Sequence, residues 1–314
     1  MQTTKLDILL YWLLNVTSAF LLSAAHNALF YVLDVRAIVT HFLHHLVTFV
    51  FLFVTCAPCI SVKIEPETLK KALLPPFLTQ IAVSLVSSRV HSGNRTGSLY
   101  LLRITDFIVT LVALKVSPRL LGPSVRNRVQ WSIMIPVALS ASLCWLEFGQ
   151  IEYDTIGLLL TPILAVLQGL NIVFIRRSIR IFVSSSVHAT FELFALYFSG
   201  TVAVGLALPA FVSYLQRNIT YDASWESIDY TLMTLSILFM AAYKFSDLWL
   251  LGHVDLPVYL CLEHTKYFMA SIGQWFIQNM AHATVYAAVG KLLFVTSSLR
   301  FWQSNDPLPK KQSH

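Results

Sequence analysis

Apolar stretches of about 20 residues recur from one end of this 314-residue chain to the other, with short polar links between them. A helix needs roughly 20 such residues to cross the ~30 Å hydrocarbon core of a bilayer. Runs of that scale fall near 8–33, 37–56, 73–90, 98–115, 129–149, 155–175, 189–214, 229–251, 255–279 and 281–299, which makes ten. Arg103 and Asp106 interrupt the fourth run, and the last two are nearly fused, so nine is the neighbouring count. None of the runs alternates with period two. A β-barrel is thereby disfavoured, and helices are the remaining way to satisfy backbone polar groups in lipid. Composition agrees: 12% of residues are charged, against about 25% in an average soluble domain. A soluble enzyme and a disordered chain are excluded, and four cysteines are too few for a disulfide scaffold. The first run is too long for a cleaved signal segment and lacks a cleavage-like end, so it reads as a span. The expected fold is an all-α membrane protein of about ten transmembrane helices.

Charge sets the orientation, because basic loops stay on the cytosolic side. With both termini cytosolic, fifteen of the 22 Lys and Arg residues fall on that side, among them Lys5, Lys70, Lys71, Arg126, Arg128, Arg176, Arg177 and Arg180. Four (Arg36, Arg89, Arg95 and Arg217) fall on the other, and Arg103, Lys244 and Lys266 lie inside spans. The sequons at Asn94 and Asn218 share the non-cytosolic side, whereas the one at Asn15 lies within the first span and should be silent. No basic patch of the kind that binds nucleic acid is present.

Ionisable residues inside spans cost about 2.5–3.5 kcal/mol each on the insertion scale and are functional candidates by default. Here they come in pairs three residues apart: Arg103 with Asp106, Lys244 with Asp247, and Glu263 with Lys266. That spacing puts each pair on one helix face. One reading is a structural ion pair; the other is a hydrated pathway whose cations hold an anionic solute. The fourth and ninth spans are equivalent members of two five-helix halves, 1–150 and 151–302, followed by a tail, 303–314. An odd number of spans per half gives the halves opposite orientation, an inverted-repeat transporter plan with its site near the midplane. Lys266 lies about 16 Å into its span at 1.5 Å per residue.

His41, His44 and His45 share a face of the second span. Imidazole is a common metal ligand, but the remaining histidines are scattered, so polar packing or a pore lining is the main expectation and a membrane metalloenzyme the minor one. Cys56-Ala-Pro-Cys59 is a CxxC without the βαβ context of a redox motif. No cofactor is expected.

The order of short motifs along the chain resembles the triose-phosphate and nucleotide-sugar translocator family of the drug/metabolite transporter superfamily. The features are Trp12 and His26-Asn27 on the first span, Ser98-Leu99 opening the fourth, Trp131 through Pro136 to Glu147 on the fifth, and Gly157 to Arg177 on the sixth. Leu250-Leu251-Gly252-His253-Val254 followed by Lys266 is similar to the family's pattern leading to a Lys-Arg pair. Lys266 matches the family's Lys, and Tyr267 stands where its Arg would be. Ala28 replaces the Lys that follows Asn27, and Leu111 replaces a basic residue on the fourth span. The resemblance implies that Lys266 contacts a phosphate and that Tyr243 faces the solute.

The expectation is therefore a secondary transporter, not an enzyme. It would exchange a nucleotide sugar or sugar phosphate for phosphate or a nucleotide across a Golgi or endoplasmic reticulum membrane. The residues expected at the solute are Lys266, Tyr267, Lys244, Tyr243, Arg103, Asp106, Glu263 and Asn27. A carrier of an uncharged or cationic solute is the alternative within transport. The expected partners are the anionic solute, its exchanged phosphate or nucleotide and the lipid bilayer, and the reading admits a homodimer.

Overall fold

The computed structural model describes residues 4–29, 37–56, 64–93, 155–186, 188–215 and 226–254, with isolated helical residues between 259 and 300. Six long helices fill these segments: α1 (Lys5–Leu29), α2 (Ala37–Cys56), α3 (Pro66–Gly93), α4 (Thr155–Val183), α5 (Phe191–Leu215) and α6 (Ser227–His253). No strand occurs among the described residues. Each of the six is long and apolar enough to cross a membrane, and the chain is an integral membrane protein. The runs at 98–115, 129–149, 255–279 and 281–299 fall largely or wholly outside the described residues, so the count of ten rests on the sequence alone.

Local chemistry explains where the helices begin. At α1 the Asp7 carboxylate accepts from the Thr4 backbone N–H (2.8 Å), and the Thr4 hydroxyl accepts from the Asp7 N–H (3.2 Å). This reciprocal capping box satisfies two otherwise orphaned donors. At α5 the Thr190 hydroxyl accepts from the Leu193 N–H (3.3 Å). The α3 helix starts at Pro66, seven residues before the apolar run at 73–90, because proline suits a first helical position. Its first two turns carry Glu67, Lys70 and Lys71 beyond the apolar run. The α4 helix likewise outruns its apolar stretch and continues to Val183.

Three pairings dominate the bundle: α1 with α6, α2 with α5, and α3 with α4. Exchanging α1, α2 and α3 for α4, α5 and α6 in order leaves these pairings unchanged. Side-chain contacts give the directions. Tyr11 stacks on Trp249 (centroids 3.8 Å apart) while Asn15 meets Ser246, so α1 and α6 are antiparallel. Glu67 and Ile181 share a groove, Gln80 bonds Asn171, and Val90 clusters with Leu164, so α3 and α4 are antiparallel too. It follows that α3 ends and α4 begins at the same end of the bundle, as an even number of intervening crossings requires. The opposite end gathers Lys5, Lys70, Lys71, Arg176, Arg177 and Arg180, all of them cations that the charge argument placed together; Arg89 lies toward the other end.

The centre belongs to α5. Phe194, Phe198, Val202 and Leu206 form a ridge at four-residue spacing and are fully buried, as expected where i±4 ridges pack into a neighbour's grooves. Two glycines let α2 and α3 approach this helix. A Cβ at Gly200 would lie 2.8 Å from Phe49 Cδ2, and one at Gly205 would lie 2.6 Å from Phe77 Cε2 and 2.9 Å from Ile81 Cδ1. Small residues at helix contacts serve this purpose in membranes generally. Gly205→Val should cost about 2 kcal/mol, the usual size of an overpacking penalty. Thermal unfolding in detergent reads this, with Val204→Leu, on the exposed face, unchanged.

Candidate functional site

The apolar bundle encloses a seam of polar side chains. On α3, Gln80, Ser84 and Ser87 follow one another at spacings of four and three and are all buried. On α2, His41, His44, His45 and Thr48 form a matching stripe. The α1 helix contributes Asn15, α4 Asn171, α5 Ser199, and α6 Tyr243, Lys244, Ser246 and Asp247.

Two asparagines close the seam in the same way. Asn15, at 2% exposure, donates through Nδ2 to the Tyr243 carbonyl (3.1 Å) and the Ser246 hydroxyl (3.0 Å). Asn171 donates to Gln80 Oε1 (2.8 Å) and accepts from the Thr79 hydroxyl (2.8 Å). Each asparagine thus sits mid-way along the first described helix of one half and grips the third helix of the other. Both are preceded by Leu and followed by a β-branched residue: Leu14-Asn15-Val16 and Leu170-Asn171-Ile172. Asn15 is thus buried and bonded within the bundle, in keeping with its sequon's place inside a span.

Removing one partner of such a pair strands the other. Asn171→Ala should cost about 1–2 kcal/mol, the scale of interhelical hydrogen bonds in membranes. Gln80→Leu/Asn171→Leu should cost less than the sum of its single changes, because the stranded amide goes as well. Thermal unfolding of the three variants in one detergent gives the coupling.

The three histidines point to three different helices. His41 Nε2 lies 3.4 Å from the Ser87 hydroxyl on α3. The His44 ring meets Tyr243 of α6 edge-on at 5.9 Å, and His45 meets Phe198 of α5 edge-on at 5.8 Å. The spread follows from about 100° of rotation per residue in a 3.6-residue turn: positions i, i+3 and i+4 occupy one broad face without converging. Among the described residues no group of three His, Cys or acidic side chains forms a metal-ligand set. His45 is 1% exposed and lies within electrostatic range of His41, His44 and Lys244. Its Nδ1, like the hydroxyls of Ser84 and Ser199, is buried without a hydrogen-bond partner among the described residues. These three groups sit on α2, α3 and α5, which pack on one another. A buried polar group left unmatched costs about 1–3 kcal/mol, and water or a solute is the usual remedy.

Of the residues expected at the solute, the structure brings Tyr243 and Lys244 to the seam, both half-buried on α6. Asp247 accepts from the Tyr259 hydroxyl (3.1 Å), a partner that spacing alone did not suggest. Glu263 is half-buried and helical. Asn27 lies in the last turn of α1, described there by its backbone only. Arg103, Asp106, Lys266 and Tyr267 lie outside the described residues, as do Cys59, Asn94 and Asn218; Cys56, a free thiol, ends α2. One expectation is corrected. Arg176, counted among the cations of a loop, is buried inside α4, where its guanidinium donates to the carbonyls of Leu251 (3.2 Å) and Val254 at the end of α6. Four carbonyls at a helix C-terminus lack intrahelical partners, and this arginine supplies donors for that end.

No protein-family profile matches the chain, and no curated protein matches it. A solved chain described only as "Crystal structure of protein" superposes with a TM-score of 0.61 at 12% identity, covering 92% of this chain and 95% of that one. At that identity the likeness concerns the fold alone.

Proposed function

We propose that the protein is a secondary transporter that exchanges a nucleotide sugar or sugar phosphate for phosphate or a nucleotide across a Golgi or endoplasmic reticulum membrane. The observation that carries this reading is the buried seam, with polar groups of α2, α3 and α5 enclosed among apolar side chains. Polar and ionisable side chains buried inside a membrane bundle are the usual mark of a solute or ion path. The exchange-invariant pairing of the described helices supports two inverted halves, with transport by rocking of one against the other. Family resemblance supplies the solute class.

In this reading Lys266 holds the phosphate, helped by Lys244 or Arg103. Glu263, Asp247 and Asp106 hold those cations when the site is empty. Tyr243 and Tyr267 stack on the sugar or base, and Asn27 contributes to the solute site from the first span. Both termini are cytosolic, because that assignment puts the basic end of the bundle on the cytosolic side. The second reading, a carrier of an uncharged or cationic solute, draws on the neutral amides and hydroxyls that make up most of the described seam. The divergence of His41, His44 and His45 speaks against the metalloenzyme reading. An uptake screen in proteoliposomes separates the transport readings. Uptake of phosphorylated or nucleotide-linked sugars alone supports the first; uptake of neutral or cationic solutes alone supports the second.

A further inference from the structure

At the basic end of the bundle, α3 and α4 leave a groove of about 460 Å³ between them. Lys70, Lys71 and Arg177 line it with Glu67, and Phe174 and Ile181 give it an apolar wall. The three cations are exposed and the two apolar side chains half-buried, so charge sits outermost. Among the described residues none of the three cations is tied into a hydrogen bond or ion pair. Three cations against one carboxylate leave the groove with a net charge of +2. From it, exposed apolar residues continue along both helices: Leu74, Leu78 and Leu85 on α3, Ile163 and Val166 on α4.

We propose that this groove binds a phospholipid with a phosphomonoester headgroup, taken from the bilayer leaflet at the basic end. A phosphomonoester carries about −1.5 to −2 at neutral pH and three acceptor oxygens, which complements two ammonium groups and a guanidinium offset by one carboxylate. Basic pockets between transmembrane helices on the cytoplasmic side are general headgroup sites. A zwitterionic headgroup brings its own cation and gains little here. A soluble phosphate would meet the same cations, but the exposed leucines and β-branched residues that lead away from the groove lie where acyl chains run. A diacyl ligand therefore uses both parts of the surface.

The test uses the full chain, purified in a non-ionic detergent and mixed with micelles of phosphatidic acid or of phosphatidylcholine with the same acyl chains. Native mass spectrometry should find phosphatidic acid retained at least tenfold over phosphatidylcholine. Lys70→Gln/Lys71→Gln/Arg177→Gln should erase that preference, whereas Arg89→Gln, toward the opposite end, should keep it. Phosphatidic acid should also raise the Tm of the unsubstituted protein. Glycerol 3-phosphate, which has the headgroup chemistry without the chains, should neither raise the Tm nor displace the lipid. On the unsubstituted protein, salt near 1 M, where the screening length falls to about 3 Å, should remove the preference. Equal retention of the two lipids overturns the proposal, as does a preference that survives the triple change or high salt. If glycerol 3-phosphate matches phosphatidic acid in both assays, the occupant is a soluble phosphate and the lipid site is refuted.

Discussion

Arg176→Leu should lower the unfolding free energy by about 3 kcal/mol, the largest stability effect expected of a single change in the described bundle. The guanidinium is buried and donates to two backbone carbonyls at the end of α6. Hydrogen bonds to a charged group are worth about 1.5–3 kcal/mol each, and carbonyls left dry without a donor cost a similar amount. Burial of the cation itself opposes part of that gain, which keeps the net below the sum. Leucine fills the volume but offers no donor. Lysine keeps the charge but presents a single ammonium in place of a rigid fork, so Arg176→Lys should recover about half. Thermal unfolding in detergent measures both. A loss below about 1 kcal/mol for the leucine variant would mean that water already serves those carbonyls.

Exchange of an anionic solute should fall at least a hundredfold in Lys266→Ala, with the protein still folded. In the proposed mechanism Glu263 holds Lys266 while the site is empty, and the solute's phosphate replaces that carboxylate. A ligand moves a conformational equilibrium only through contacts that differ between the states, and this swap is such a contact. Lys266→Arg should retain part of the activity, because charge survives while geometry changes. The rival account is that Lys266 only neutralises Glu263. The double variant Lys266→Ala/Glu263→Ala separates the two, since normal exchange by it would remove Lys266 from the site.

Hydropathy made the helices legible where they are buried in lipid and blurred them where they leave it. The second run coincides with α2 because no charged residue lies within it or extends the helix beyond it. The third missed the first two turns of α3, since Glu67, Lys70 and Lys71 carry a helix out of the hydrocarbon, and a hydropathy window cannot distinguish that overhang from a loop. Arg176 misled for the same reason: beside Arg177 and Arg180 it reads as loop charge, and only the arrival of the α6 terminus against α4 gives it an interior role. The asparagine clamps had a signal that went unread, the recurrence of Leu-Asn followed by a β-branched residue in spans one and six. Their partners, Thr79, Gln80 and Ser246, are ordinary polar residues whose alignment is a property of helix packing. The shared face of the three histidines was legible from their spacing. Their separate destinations were not, because those depend on α3, α5 and α6 surrounding α2.

In the proposed function the seam carries a phosphorylated or nucleotide-linked sugar by obligatory exchange. The most direct measurement is efflux of a labelled solute from preloaded proteoliposomes containing the unsubstituted protein. For at least one such sugar, efflux should be slow into plain buffer and accelerate at least tenfold when unlabelled solute, phosphate or a nucleotide is added outside. Efflux equally fast without an external partner, or no efflux of any phosphorylated or nucleotide-linked sugar from vesicles that hold folded protein, would contradict it.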